Sequence, residues 1–206
     1  MALDTPVKSK TNVLKFHSEE DVAVALAKYT ADLSKKHIRE VSFSVVLSRG
    51  TLIDTMRKMV ESPYKDSVDW SKWLIFWEYE RVVPLNSDDS NYKLAWDGFL
   101  QRYAKFRDIF GLKIEFITVR INQNFKSTGF SLFWKVPISP SNTYAINDKL
   151  TPEDAADDYE ARLKHLVDGK IILLSDASGF PKFDLMLLGM GPDGQVASLF
   201  PTRQQR

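Results

Sequence analysis

Segments whose apolar residues recur every three to four positions alternate along this chain with short uninterrupted apolar runs. In SEEDVAVALAKYTADLSKK, Val22, Leu26, Tyr29 and Leu33 fall on one helical face, with Ser18 as candidate N-cap and Asp21 at the capping-box position. The run VSFSVVL, Val41 to Leu47, is short and β-branched and reads as a strand buried on at least one face. It leads through SRGT into LIDTMRKMV, a strand, tight turn and helix. WLIFW, Trp73 to Trp77, repeats the strand reading and is followed by polar residues. TPEDAADDYEARLKHLV opens with Thr151 as N-cap, Pro152 at the first helical position and acidic residues close behind, all of which favour a helix start. FDLMLLG, Phe183 to Gly189, reads as a third buried strand. From Gln101 to Trp134 the order breaks, and the alternation around LKIEFITVRI fits either an edge strand or a surface excursion.

Strands separated by helices predict an α/β fold, a mainly parallel, Rossmann-like sheet with helices on both faces. Ligands of such sheets sit beyond the carboxyl ends of the strands. SRGT, EYER and GMGPDGQ all fall at those ends. No internal repeat or low-complexity linker divides the chain, so residues 1–206 read as a single domain.

Composition narrows the partners. Lys+Arg 28 against Asp+Glu 27 gives a net charge of +1, without the basic concentration that nucleic acid or an anionic membrane calls for. A small anionic ligand stays open. With 0 cysteines, disulfides, thiolate metal sites and cysteine nucleophiles are excluded. The N-terminal residues MALDTPVKSKTNV carry no apolar run of signal-peptide length, and no segment reaches transmembrane length, so the expected location is the cytosol.

Three motifs carry candidate chemistry. Ser48-Arg49-Gly50-Thr51 joins a strand to a helix N-terminus, where free N–H groups and the helix dipole favour a phosphate; the plainer reading makes Thr51 only an N-cap. Glu80 and Arg81 follow a strand. Arg81 offers a planar fork for a phosphate or carboxylate, against the plainer reading of a solvated ion pair. Gly189, Gly191 and Gly194 let the backbone turn sharply near a ligand, with Asp193 to orient a neighbour; a structural glycine turn is the alternative. His17, His37 and His165 lie in or beside helical runs and read as solvated helix residues.

These blocks resemble plant-type 6-phosphogluconolactonase, in the superfamily that includes the glucosamine-6-phosphate isomerases and deaminases. VVLSRGTLIDTMRKMVESPYKDSVDW, FWEYERVVPLNSDDSNYKLAWDGFL, KVPISPSNTYAINDKL and FDLMLLGMGPDGQVASLFP occur in the family's order. They leave out 101–134, which reads as an atypical insert, and the chain is expected to be incomplete at its C-terminus. The resemblance implies hydrolysis of 6-phosphogluconolactone to 6-phosphogluconate, in the oxidative pentose phosphate pathway, with no metal and no organic cofactor. It implies a phosphorylated sugar lactone as partner and says nothing of oligomeric state. It assigns Ser48, Gly50 and Thr51, with Arg49, to a phosphate loop and Arg81 to an Asp-Glu-Arg motif that includes Glu80. Gly191, Asp193 and Gly194 belong to the loop carrying an Asp-Gly-His motif, whose histidine position is Gln195; the resemblance makes Gln195, Asp193 and Glu80 the catalytic candidates.

Here the chain departs from the family. An imidazole accepts a proton near neutral pH, whereas an amide only hydrogen-bonds. Loss of a general base costs roughly 100- to 10,000-fold in rate. Tyr79 stands at the motif's aspartate and Arg49 at the first of two glycines. Two functions therefore stay open, a lactone hydrolase and a catalytically inactive phosphosugar-binding or interaction protein. An isomerising deaminase fits the blocks less closely.

Overall fold

The computed structural model describes residues 12–37, 42–100, 136–197 and 199. Helix α1 (Glu19–His37) begins as its sequence predicts: the Ser18 hydroxyl accepts from the Asp21 N–H at 3.1 Å and donates to the Asp21 carboxylate at 2.8 Å. Its buried face is another one. Ala23, Ala27, Thr30, Ala31 and Ser34 are buried, while Val22 and Tyr29 are exposed. Small side chains let the helix axis come close to its neighbours. That turns the helix so that only Leu26 and Leu33 of the expected face touch the core.

Strand β1 (Phe43–Leu47) is buried throughout. It ends at Ser48, and Gly50 starts helix α2 (Thr51–Thr55), which tightens into a 3₁₀ segment, Met56–Val60. The single helix expected over LIDTMRKMV is thus short and changes type. Helix α3 (Tyr64–Ser67) precedes β2 (Trp73–Trp77), whose bounds match the apolar run WLIFW. Helix α4 (Asn91–Ala95) continues as a π turn, Trp96–Leu100. Strand β3 (Thr143–Tyr144), too short to leave an apolar signature, was not expected. Helix α5 (Pro152–Asp168) is capped by Thr151, whose hydroxyl accepts from the Asp154 N–H at 3.2 Å. A small antiparallel pair, β4 (Leu173–Leu174) with β5 (Pro181–Lys182), leads to β6 (Leu185–Leu187). The expected insert 101–134 lies outside the described residues.

The main sheet has the order β3-β2-β1-β6, with every pairing parallel. Alternation along β1 and β2 separates two apolar layers. Phe43, Val45, Leu47, Trp73, Ile75 and Trp77 pack on the side covered by α1, α2 and α4. Val46, Leu74 and Phe76 pack with Leu166 of α5 on the other, where Phe76 stacks on Tyr144 at 4.7 Å. The α/β class and the helices on both faces are as expected. Trp73 is fully buried, and its indole N–H donates to the buried Ser34 hydroxyl at 3.0 Å, which satisfies that donor. β6 is buried on one face only: Leu185 and Leu187 are inside and Met186 is 51% exposed. The third buried strand expected over FDLMLLG is thus present but shorter.

His37 also departs from its solvated reading. Its Nδ1 stands 3.5 Å from the Asp184 carboxylate, which in turn accepts the Ser44 N–H and hydroxyl, both at 2.7 Å. These contacts join the amino-terminal ends of β1 and β6, at the end of the sheet opposite the loops described next. His17 and His165 are exposed.

Candidate functional site

The chain lays β2 and β3 on one side of β1 and then crosses to form β6 on the other. Its loops diverge between β1 and β6, the point where open α/β sheets leave a crevice beyond the carboxyl ends. The two glycine-bearing loops meet there. The Ser48 N–H donates to the Leu187 carbonyl at 3.1 Å, and the Gly189 N–H donates to the Ser48 hydroxyl oxygen at 3.1 Å. A Cβ on Gly189 would stand 3.1 Å from that oxygen, so the glycine permits the approach. Ser48 is 5% exposed and is a tie between the loops before it can be anything else.

Gly50 has φ 83° and ψ −145°, a conformation essentially confined to glycine, and it occupies the N-cap of α2. Thr51 is therefore the first helical residue and not the cap that the plainer reading made it. Arg49 is half-buried, and its carbonyl lies beside Gly189.

The second loop folds on itself. The Gly191 N–H donates to the Gln195 carbonyl at 2.8 Å and the Gly194 N–H to the Gly191 carbonyl at 3.0 Å. Asp193 accepts the Gln195 N–H at 3.1 Å. A Cβ on Gly191 would lie 2.6 Å from the Asp193 carboxylate oxygen and displace it from its place in the turn. Gln195 turns its amide into its own loop: Nε2 donates to the Ala197 carbonyl at 2.7 Å.

Glu80 and Arg81 separate in role. The Glu80 carboxylate accepts the N–H groups of Arg81 (2.9 Å), Asn91 (2.7 Å) and Tyr92 (2.6 Å) and the Ser90 hydroxyl (3.2 Å). It holds the start of α4, with two donors on each carboxylate oxygen. Arg81 is exposed and donates to the Asp89 carbonyl at 2.9 Å. Its contacts are with that loop and not with Ser48 or Gly189. Tyr79 accepts the Asn91 amide on its carbonyl at 2.8 Å.

Sequence reading passed over Glu78. Its N–H donates to the Leu47 carbonyl at 2.9 Å, which sets it beside Ser48. Burial pushes its carboxyl above the usual carboxylate range, and the neighbouring Ser48 hydroxyl draws it part of the way back. The signal was there: a glutamate directly follows five apolar residues at a strand's carboxyl end. Next to it lies a cavity of about 300 Å³ between the ends of β2 and β3 and the first half of α5, bordered by Trp77, Glu78, Ile146, Tyr159 and Leu163. Burial there pushes the Tyr159 phenol up to about 12. Among the described residues no cluster of three or more His, Asp or Glu is placed to hold a metal ion, and no helix is long and apolar enough to cross a membrane.

A parallel sheet whose glycine-bearing loops meet at the reversal of strand order is a Rossmann-like α/β protein. The family described as glucosamine-6-phosphate isomerases/6-phosphogluconolactonase matches residues 17–115 and 119–206, through most of 101–134 as well. The chain belongs to that family. It is 51% identical over 195 residues to 6-phosphogluconolactonase 3, chloroplastic, of Arabidopsis thaliana, covering 94% of this chain and 50% of that protein. It is 52% identical over 190 residues to the probable 6-phosphogluconolactonase 4, chloroplastic, of Oryza sativa subsp. indica, covering 92% and 48%. The chain thus spans about half the length of these curated relatives, and their names lend no support to a cytosolic location. The crystal structure of 6-phosphogluconolactonase from Thermotoga maritima shares the fold, with TM-score 0.59 at 23% identity over 88% of this chain and 62% of that one.

Proposed function

We propose that the chain binds a phosphorylated sugar lactone and hydrolyses it, with 6-phosphogluconolactone as substrate and 6-phosphogluconate as product. The observation that carries this reading is the junction of the Ser48–Thr51 loop with the Gly189–Gln195 loop at the switch point, in a chain of this family. In the proposed complex the loop N–H groups after Gly50 and the hydroxyl of Thr51 face the phosphate, with the Arg49 and Arg81 guanidinium groups supplying positive charge. The remaining backbone N–H groups of the Gly189 loop face the lactone, where negative charge develops on the carbonyl oxygen as water adds. Gln195 orients by hydrogen bonding but takes no proton.

A second reading is favoured by one contact. The Gln195 amide is committed to the Ala197 carbonyl, as expected of a phosphosugar-binding protein without turnover. Two measurements separate the readings. Titration with 6-phosphogluconate should show weakened binding for Ser48→Ala and for Arg81→Ala, each by roughly 10-fold or more, the scale of a lost charge-assisted contact. Unchanged affinity in both would sink the phosphate site. Hydrolysis of 6-phosphogluconolactone above its spontaneous rate supports the hydrolase, and binding without acceleration supports the binding protein.

A further inference from the structure

Lactone hydrolysis needs a group that takes a proton from water, and few side chains at these strand ends can do so. Glu80 has spent its oxygens on four donors. Asp193 is exposed and holds the Gln195 N–H. His37 lies by Ser44 and Asp184, at the far end of the sheet. Glu78 differs from all of these. It leaves β2 on the face that carries Leu74 and Phe76, side by side with Ser48, and its Oε2 is buried without a hydrogen-bond partner. Tyr159 borders the same cavity, and its hydroxyl is buried beside the Trp77 backbone outside normal hydrogen-bond geometry. Glu78 as a whole is only half-buried, and it borders a cavity of about 300 Å³, room for a water beside its carboxylate.

We propose that Glu78 is the base of this chain, holding the attacking water between the Ser48 loop and the Tyr159 cavity. The inference rests on the hydrolytic reading above. The Glu78 carboxylate removes one proton as the water oxygen bonds to the lactone carbonyl carbon, and the carbonyl π pair moves onto its oxygen. Collapse of that oxyanion breaks the ring C–O bond. The proton held by Glu78 passes to the departing alkoxide, leaving a hydroxyl and a carboxylic acid that ionises to solvent. Burial serves this step, because a carboxylate destabilised by its surroundings is a stronger base than one in water.

The charged and titratable groups around Glu78 are Tyr79 and Glu80 on its own strand end, Arg49 next to Ser48, and Tyr159 and Glu160 on α5. Glu160 is paired with Lys164 at 2.6 Å, and Arg162 is turned to Asp158 and the Ala145 carbonyl. Glu78 must be ionised to act, so the rate falls as pH drops through a pKa above the usual carboxylate value.

The test compares the chain with Glu78→Gln and Glu78→Asp. The readouts are hydrolysis above the spontaneous rate, from acid to neutral pH, and the dissociation constant of 6-phosphogluconate. Glu78→Gln is expected to lose roughly 100- to 10,000-fold in rate with product affinity unchanged, and Glu78→Asp to keep a weakened rate with its acid limb. A Glu78→Gln rate within about twofold of the parent overturns the role of Glu78 and leaves the hydrolase reading standing. So does a rate loss matched by an equal loss of product affinity. A parent chain that binds product without accelerating hydrolysis overturns both.

Discussion

Four donors converge on the Glu80 carboxylate, and three of them are backbone N–H groups of Arg81, Asn91 and Tyr92. Two of those N–H groups, of Asn91 and Tyr92, belong to the first turn of α4, which has no carbonyl partner for them inside the helix. Glu80→Ala should therefore lower stability by about 1–3 kcal/mol, the cost of stranding part-buried donors. Urea unfolding measures it, and a loss under about 0.5 kcal/mol, the range of an indifferent surface position, would show that solvent replaces the carboxylate. Sequence alone separated Glu80 from its neighbour poorly. Glu78 and Glu80 stand two positions apart in the same motif, yet one caps a helix and the other faces a cavity, because residues 48 and 90–92 decide their surroundings.

At the scale of elements, the turn from β1 into α2 depends on one backbone conformation. Gly50 at φ 83° and ψ −145° lets the chain leave β1 and enter the helix, and a Cβ there would meet nothing within 4 Å. The strain in Gly50→Ala is thus purely conformational, about 1–3 kcal/mol. Thermal unfolding should register that loss; an unchanged midpoint would mean that the loop relaxes to another path. Helix starts at Ser18 and Thr151 were legible because a cap is local, involving residues three apart. The face of α1 was not. Hydrophobic size chose Val22 and Tyr29, whereas close packing chose Ala23, Ala27 and Ala31, and only the neighbouring elements specify which.

At the scale of the whole molecule, the described residues cover the sheet unevenly. α1, α2 and α4 close one face, while α5 covers β2 and β3 on the other and leaves Met186 and Leu188 about half exposed. Leu187→Ala should cost about 2–5 kcal/mol through the cavity it leaves. Met186→Lys, one residue away, should change stability by no more than about 0.5 kcal/mol. Equal effects in denaturant unfolding would show that both faces of β6 are buried in solution.

The sequence by itself determined the α/β class, the three apolar strand runs, the two capped long helices, and the motifs that mark the family, because each depends on residues close together in the chain. Tertiary structure alone decided which of these parts meet. It brought Gly189 to Ser48 across 141 residues and His37 beside Asp184. It placed the two-residue β3 against β2, gave Glu80 to a helix start, and set Glu78 beside Ser48 at the edge of a cavity. Such pairings are fixed by sheet order and packing, and no local pattern encodes the partner at the other end.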